Sequence, residues 1–378
     1  MIKVIEAISD MNIGGAGKLL VSRIKYSNKE KIKYFVVLPK GSLLTQKIKK
    51  AGARIIEIDS CKNRSFDLSG ILTIYKIIKR ISPSIVNSHA CASAKIAGRL
   101  ARVDVNLFTR HCDFPTSKIY AFPFVKSISK AFNEFICDGV IAVSESSKRN
   151  LLSVGINEKK IKVIINGAES LTALSEVEKK KIKAGLKIPA EAIVVSIFAR
   201  LEAYKDHKTL LRAAKSLKNN KNIYFLIVGA GSLGEYLKSY AAKLGIEDNV
   251  RFLGFVDDVY KIMNITDINV NCSIGTETSS LALSEGMSLG IPAIASDYSG
   301  NKYIAKNNIN GLIYPQRNHI ALAECILRLV YDKALYSRLA KNASIRFQNE
   351  LNAKRMTLET EQYYFSMLKS KKLMRSSR

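Results

Sequence analysis

Short apolar runs alternate along the chain with longer segments in which apolar residues recur every three or four positions. The short runs, rich in Ile and Val, predict strands over 2–8, 33–38, 54–58, 85–88, 105–109, 139–143, 162–165, 192–199, 224–228, 250–253, 268–271, 293–296 and 312–314. The longer segments predict helices that include 67–81, 145–154, 209–217, 233–244, 281–289 and 320–330. This alternation is typical of parallel sheets whose strands are connected by helices.

The number of strands predicts two domains. A polar stretch without strand signal, 169–190, separates the first seven predicted strands from the last six, which together are too many for one open sheet. We therefore expect two doubly wound, Rossmann-like α/β domains over 1–168 and 191–350, joined by a linker at 169–190. The tail 351–378 has a helical pattern. Because open parallel sheets bind ligands at the carboxyl ends of their strands, the cleft between two such domains is the expected ligand site.

Composition narrows the class of protein. With 47% hydrophobic and 24% charged residues, the 378-residue chain is neither disordered nor collagen-like. No apolar run reaches the roughly 18 residues of a membrane-spanning helix, and no signal-peptide pattern begins the chain, so we expect a cytoplasmic location. Six cysteines without a C-x-x-C pair indicate reduced thiols rather than a zinc site or a disulfide framework. They are Cys61, Cys91, Cys112, Cys137, Cys272 and Cys325.

The chain is strongly basic, with a formal net charge of +28 from 60 Lys and Arg against 32 Asp and Glu. Nucleic acid, an anionic membrane surface and a coding bias toward Lys, Ile and Asn are competing explanations. No nucleic-acid-binding motif occurs, so we expect no nucleic-acid partner and favour a peripheral position on the inner face of the plasma membrane.

Two glycine-rich turns follow predicted strands. Gly14 and Gly15 open a helix, where backbone amides can approach a phosphate, although a tight turn alone would explain them equally well. The segment GAGSLG at 229–234 has G-x-G-x-x-G spacing, which by itself suggests a dinucleotide. It lies in the middle of the second half, and the acidic pair Glu247 and Asp248 precedes the next strand. This position favours the rim of a mononucleotide site, with NAD as the lesser alternative.

Two cations and two histidines stand at predicted strand ends. Arg200 and Lys205 follow the strand at 192–199, where they would suit a diphosphate, unless they are ordinary solvated surface charges. His89 and His111 follow two successive strands of the first half. Histidine there is a candidate for proton transfer, although a hydrogen-bonded structural histidine is the competing interpretation.

A pair of carboxylates brackets the start of a predicted helix. Ser279 or Ser280 can cap this helix, Glu277 then lies in the preceding loop, and Glu285 lies one turn inside on a largely apolar face. A carboxylate on such a face needs hydrogen-bond donors, and sugar or ribose hydroxyls would serve. The amides of Ser279, Ser280 and Leu281 would offer the positive end of the helix to a phosphate. The alternative is one capping and one salt-bridged carboxylate.

Taken in order, these residues resemble glycosyltransferase family 4, the retaining nucleotide-sugar enzymes of the GT-B fold. The matching residues are Gly14 and Gly15, His111, Val143-Ser144-Glu145, Ile165-Asn166-Gly167, Arg200 with Lys205, Val228-Gly229 with Gly231, FLGFV at 252–256, Glu277 with Glu285, Gly290-Ile291-Pro292, Ser296-Asp297, Gly300-Asn301 and Asn310-Gly311. The resemblance covers nearly the whole chain. One departure lies at Thr278-Ser279-Ser280, where the family usually carries Gly-Phe-Gly, so the pocket around the sugar is expected to differ in shape.

The resemblance implies roles for these residues. Arg200 and Lys205 would hold the donor diphosphate, Glu285 the ribose, and Glu277 with the amides at 279–281 the sugar and its phosphate. The full donor set would be Gly15, Arg200, Lys205, Gly229, Gly254, Phe255, Val256, Glu277, Ser279, Ser280, Leu281 and Glu285, with 254–256 at the edge of the base. The catalytic residues would be His111, Arg200, Lys205 and Glu277, and His89 with His111 would face the acceptor. The final helix would cross back onto the first domain.

The implied activity is retaining transfer of a hexosyl group from a UDP- or GDP-sugar to a saccharide or polyprenyl-linked acceptor in surface polysaccharide synthesis. Since Arg200, Lys205 and a helix N-terminus can neutralise the diphosphate, and the chain has no D-x-D motif in a metal-binding context, we expect no cofactor and no required metal. A nucleotide-sugar epimerase or a phosphorylase of the same fold remains an alternative, and a basic nucleic-acid-binding protein is a lesser one.

Overall fold

The computed structural model describes residues 1–59, 67–112, 122–275 and 277–376, so Cys61 lies outside the described residues. The chain divides into two compact units, the first of Met1–Gly167 with Ala353–Arg378 and the second of Ala168–Asn352. Each unit contains one parallel sheet. The prediction of two doubly wound α/β domains is therefore confirmed.

Thirteen strands form the two sheets within the described residues. They are β1 (Ile2–Ile8), β2 (Ile32–Pro39), β3 (Arg54–Ile58), β4 (Ile85–His89), β5 (Val105–Arg110), β6 (Gly139–Ala142), β7 (Ile161–Val163), β8 (Ile193–Phe198), β9 (Ile223–Val228), β10 (Val250–Gly254), β11 (Ile268–Asn271), β12 (Ala293–Ser296) and β13 (Gly311–Tyr314). Each lies within two residues of its predicted bounds.

Helices connect the strands. They are α1 (Gly15–Tyr26), α2 (Thr45–Lys50), α3 (Leu68–Ile81), α4 (Ala92–Leu100), α5 (Pro123–Ile136), α6 (Glu145–Ser153), α7 (Glu176–Gly185), α8 (His207–Ser216), α9 (Gly234–Leu244), α10 (Val259–Asn264), α11 (Leu281–Ser288), α12 (Asn301–Ile304), α13 (His319–Tyr331), α14 (Lys333–Arg346) and α15 (Ala353–Ser376). Among the described helices, none is both long and apolar enough to cross a bilayer.

The first sheet has the strand order β3-β2-β1-β4-β5-β6-β7, so the order reverses between β1 and β4. Apolar residues of α3 and α4, such as Ile74 and Ala94, cover one side of this sheet and are fully buried. The last helix, α15, packs against α1, and Ser27 Oγ just after α1 donates a 2.5 Å hydrogen bond to Glu361. The reversal leaves a crevice at the carboxyl ends of β1 and β4, where such sheets bind ligands.

The second sheet has the order β10-β9-β8-β11-β12-β13, with its reversal between β8 and β11. Both faces of its central strands are buried, as with Ile197 on one side and Val194 on the other. The stretch 169–190, expected to be a linker, lies in this unit and contains α7. A capping box between Ser175 and Glu178 begins that helix, a local signal that a search for strands overlooks.

Candidate active site

The strand reversal of the second sheet brings the predicted cations and one carboxylate together. The loop after β8 contains Arg200 and a short 3-10 helix over Ala203–Lys205, and the loop after β11 leads to Glu277. A backbone hydrogen bond of 2.9 Å from Ile274 N to Tyr204 O joins the two loops. As a result Lys205 Nζ forms an ion pair with Glu277 Oε2.

Glu277 is held by a buried polar network. Besides Lys205, its Oε2 accepts hydrogen bonds from Asn271 Nδ2 (3.3 Å) and Ser273 Oγ (3.1 Å). The ion pair is largely shielded, since only 15% of the Lys205 side chain and 10% of the Glu277 side chain are exposed. Gly300 approaches the backbone so closely that a Cβ would lie 2.5 Å from the carbonyl oxygen of Glu277. Glycine at 300 therefore allows the backbone there to pack directly against the loop that carries this carboxylate.

The start of α11 is built from buried polar side chains. Ser280 caps the helix by accepting a 3.3 Å hydrogen bond from Leu283 N. Ser279 Oγ is buried and has no hydrogen-bond partner within the described part of the chain, an arrangement that a bound ligand would complete. The helix N-terminus adds a favourable potential for an anion. Leu281 is its first residue, and Glu285 lies half-buried one turn further on.

Arg200 and Lys205 share an aromatic neighbour that the sequence did not suggest. Arg200 donates a hydrogen bond to the hydroxyl of Tyr204, and its guanidinium lies 5.8 Å from the centre of that ring. Lys205 Nζ lies 5.5 Å from the same centre. Tyr204 thus holds two cations at one strand end, where they can act together on a diphosphate.

Close packing explains the glycines after β9. Gly229 has φ +144°, and a Cβ there would lie 2.1 Å from the carbonyl oxygen of Ala199. A Cβ at Gly231 would lie 2.6 Å from the carbonyl oxygen of Leu201. The G-x-G spacing therefore lets this turn pack on the loop that carries Arg200, a role that requires no dinucleotide.

The residues assigned to the base lie at the same end of the sheet. Gly229 N donates a 2.8 Å hydrogen bond to Gly254 O at the end of β10, so the two turns are adjacent. Phe255, next in the chain, is 70% exposed, whereas Val256 packs against the core of this unit. Gly254 itself has φ +66°, which lets the chain turn there.

In the first unit, Gly14 precedes α1 with φ −95°, a conformation open to any residue. A Cβ at this position would meet no described atom closer than Asp10 Oδ2 at 3.7 Å, which is an ordinary contact. Neither backbone strain nor packing within the described residues therefore explains the absence of a side chain. Gly15 is the first residue of α1, and its contact with a donor diphosphate stays a prediction.

A buried carboxylate, Glu6 of β1, organises the strand ends of the first unit. Its Oε2 lies 2.7 Å from Arg23 Nη2 and 2.7 Å from His89 Nε2, and accepts a 3.0 Å hydrogen bond from Asn87 Nδ2. Its Oε1 accepts a 2.8 Å hydrogen bond from Tyr364 of α15. Burial alone would raise the pKa of Glu6, but Arg23 and His89 outweigh that effect and hold the pKa below its ordinary value.

Two histidines adjoin this carboxylate. His89 Nε2 lies 2.7 Å from Glu6 Oε2 and 3.0 Å from Arg23 Nη2, and His89 Nδ1 lies 2.7 Å from His111 Nε2. Burial, which outweighs the nearby Glu6, lowers the pKa of His89. Burial, together with the neighbouring His89 and Arg23, lowers the pKa of His111 well below its usual range. The two rings therefore continue the buried polar network that begins at Glu6.

Sequence reasoning found His89 and His111 but missed Glu6, Arg23 and Tyr364. A signal existed for the first two, because Glu6 interrupts the apolar run 4–8 of β1 and Arg23 follows Leu19 and Leu20 on the buried side of α1. A buried charge needs a partner of opposite sign. An isolated Glu and an isolated Arg on predicted core faces are therefore expected to form an ion pair.

Two family models match the chain. Residues 13–170 match Glycosyltransferase Family 4, and residues 178–346 match Glycosyl transferases group 1. Together they cover every described strand except β1, and the chain belongs to glycosyltransferase family 4 as an enzyme of the GT-B type.

Individual relatives agree with this assignment. The UDP-Gal:alpha-D-GlcNAc-diphosphoundecaprenol alpha-1,3-galactosyltransferase of Escherichia coli is 26% identical over 323 residues, or 82% of this chain and 83% of the relative. The lipopolysaccharide core biosynthesis glycosyltransferase LpsD of Rhizobium meliloti is 30% identical over 46% of this chain and 50% of its own length. The structure of Anabaena HepE in complex with UDP and glucose has a TM-score of 0.83 at 20% identity, covering 97% of this chain and 100% of that one. The chain is thus related to enzymes of polysaccharide and lipid-linked saccharide synthesis.

Proposed function

We propose that this enzyme transfers a hexosyl group from a UDP-sugar, with retention of the anomeric configuration, to a polyprenyl diphosphate-linked saccharide of a surface polysaccharide. The observation that carries the proposal is the juxtaposition of Lys205 and Glu277 beside the start of α11. A cation, a carboxylate and a helix N-terminus at one strand reversal can hold the phosphate and the hydroxyls of a nucleotide-sugar.

Two similarities support the choice of substrates. The E. coli relative is named for a UDP-galactose donor and a diphosphoundecaprenol-linked acceptor. The Anabaena structure, which shares the fold, contains UDP and glucose. Ser279 Oγ, buried without a partner in the described chain, adds a donor or acceptor for the sugar or its phosphate.

The chemistry follows from where charge develops. As the bond from the anomeric carbon to the phosphate oxygen breaks, the sugar ring gains positive charge and the UDP gains negative charge. Arg200, Lys205 and the amides at the start of α11 stabilise the departing diphosphate, more in the transition state than in the ground state. The acceptor oxygen bonds to the anomeric carbon on the same face, and its proton passes to the departing phosphate.

Nucleotide selectivity is tested by thermal shift with UDP-hexoses and GDP-hexoses. We expect the UDP series to raise the melting temperature and the GDP series to leave it near that of the protein alone, because a ligand that binds only the folded state stabilises it by RT ln(1 + [L]/Kd). A larger shift with GDP-sugars would assign the donor to the other nucleotide. Incubation with the donor alone separates transfer from epimerisation, since only an epimerase would convert the donor without an acceptor.

Turnover is expected to continue in EDTA. In this proposal Arg200, Lys205 and the N-terminus of α11 supply the positive charge that a divalent ion would otherwise provide. Initial rates are compared in EDTA, in Mg²⁺ and in Mn²⁺ after exhaustive dialysis. Loss of turnover in EDTA that either ion restores would contradict this expectation.

A further inference from the structure

A buried network of asparagine and serine residues adjoins Glu277. Asn271 ends β11, Ser296 ends the neighbouring strand β12, and Asn301 begins α12. Asn301 and Ser296 are fully buried, and Asn271 is only 6% exposed. Ser273, in the loop after β11, is hydrogen-bonded to both Asn271 and Ser296. The network therefore connects the ends of two strands and the start of a helix to the carboxylate of the proposed donor site.

The backbone of Ser273 determines the direction of the hydrogen bonds in this network. Its N–H donates a 2.9 Å hydrogen bond to Asn271 Oδ1, so the amide of Asn271 must turn its Nδ2 toward Glu277, 3.3 Å from Oε2. Its carbonyl oxygen accepts a 2.5 Å hydrogen bond from Ser296 Oγ, which leaves that hydroxyl oxygen as an acceptor. A backbone N–H can only donate and a carbonyl oxygen can only accept, so neither direction can be reversed.

Asn301 completes the network. Its Nδ2 lies 2.9 Å from Ser296 Oγ and 3.3 Å from Asn271 Oδ1, and it donates to both because both are acceptors. Asn271 Oδ1 is thereby held on the side away from Glu277. The hydrogen bonds from Asn301 to Asn271 and from Asn271 to Glu277 are then both donated in the direction of the carboxylate.

Stability alone does not account for an asparagine at position 301. Its Oδ1 is buried and accepts no hydrogen bond from the residues that the structure describes. A buried polar atom without a partner destabilises a fold, whereas an apolar side chain of similar size would fill the same space without that penalty. The benefit of an amide at this position therefore lies in what its Nδ2 does to Asn271 and, through Asn271, to Glu277.

We infer that Asn271 and Asn301 are positioning residues for Glu277. Oε2 of this carboxylate is bonded to Lys205 Nζ, Ser273 Oγ and Asn271 Nδ2, while Oε1 accepts no hydrogen bond from the described part of the chain. The network thus fixes one oxygen and leaves the other for a ligand. The inference rests on the proposed function, in which Glu277 contacts the donor sugar. A displacement of the carboxylate by about 1 Å is enough to slow transfer, because reacting groups must be held closely in place.

The test is a mutant cycle in the full-length chain. Asn301→Ala and Asn271→Ala each remove one link, and Glu277→Ala provides a background in which neither link has a carboxylate to act on. Asn310→Ala is the matched control, because Asn310 is also fully buried but its Nδ2 donates a 3.0 Å hydrogen bond to Ile304 O rather than to the network. Initial rates with a UDP-hexose give kcat and KM, and calorimetry gives the Kd of UDP.

We expect Asn301→Ala and Asn271→Ala to lower kcat by about tenfold or more while changing the Kd of UDP by less than about twofold. Neither substitution should lower the residual kcat of Glu277→Ala any further. Asn310→Ala should lower the melting temperature and leave kcat within about twofold of the wild type. Equal losses of kcat in the Asn310 and Asn301 variants, or additive losses in the Glu277→Ala background, would overturn the inference.

Hydrogen exchange of the β11 and β12 amides provides a second measurement that needs no turnover. Because Asn301 is linked to Glu277 through Asn271, Asn301→Ala should accelerate this exchange about threefold more in the chain that carries Glu277 than in the Glu277→Ala chain. Equal acceleration in the two chains would overturn the inference. A wild type that transfers no sugar but shows this difference would refute the proposed function and still support the link between the two asparagines and Glu277.

Discussion

Replacing Glu6 by Ala is expected to destabilise the first unit by about 3–5 kcal/mol, the usual cost of leaving a buried charge without its partner. Arg23 has only 7% of its side chain exposed, and its carboxylate partner lies 2.7 Å away. The same substitution removes the acceptor of His89, Asn87 and Tyr364. Hydrogen exchange of the β1 and β4 amides measures the free energy of opening of this unit by itself.

Two comparisons separate the ion pair from a general effect of substitution. Glu6→Gln keeps an acceptor for Tyr364 but leaves Arg23 charged, so it should still destabilise the unit, and combining it with Arg23→Gln should recover part of the loss. Glu176→Ala removes an exposed carboxylate paired with Lys179 and should leave stability unchanged. A loss below about 1 kcal/mol for Glu6→Ala would contradict the importance of the buried pair.

Glu285→Ala is expected to weaken binding of both the sugar donor and free UDP by about one to two decades. In the proposed site Glu285 holds the ribose hydroxyls, and each charge-assisted hydrogen bond is worth roughly 1.5–3 kcal/mol. Glu277→Ala should behave differently, because its carboxylate would contact the sugar. Free UDP lacks that sugar, so its affinity should change little while turnover falls. Calorimetry with UDP and initial-rate kinetics measure the two effects.

Glu324→Ala, at an exposed position of α13, is the matched control for removing one negative charge from the second unit. It should change neither UDP affinity nor turnover. Equal loss of UDP affinity in the Glu277 and Glu285 variants would mean that their roles are wrongly divided. Unchanged binding and turnover in both variants would return the two carboxylates to capping and salt-bridging roles.

The sheets were predictable because their signal is local. The central strands bury short runs of branched apolar residues, such as Val4–Ile5 of β1 and Val194–Val195 of β8. The polar residues at strand ends meet at one edge of a parallel sheet. That rule explains why Arg200, Lys205 and Glu277 could be grouped from the sequence. The ion pair between Lys205 and Glu277 could not be predicted in this way. It depends on a backbone hydrogen bond from Ile274 N to Tyr204 O, which joins two loops that lie 70 residues apart in the chain.

The cluster around Glu6 was missed for a similar reason. Its members lie on β1, α1, β4 and α15. Tyr364 of α15 is 358 residues from Glu6 in the chain. Periodicity shows that Glu6 and Arg23 face the core, but the contact between them depends on how the helix packs on the sheet. For the glycines at 229–234, a local pattern indicated a nucleotide site. The structure shows that close packing against Ala199 and Leu201 already requires Gly229 and Gly231.

The most direct test of the proposed activity is transfer from a UDP-hexose to a saccharide carried on polyprenyl diphosphate in a phosphatidylglycerol-containing vesicle. We expect release of UDP to match formation of a longer lipid-linked saccharide, and the anomeric proton of the new sugar to show the same axial–equatorial coupling as in the α-linked donor. Release of UDP without a new glycoside, or a product with inverted configuration, would contradict the account.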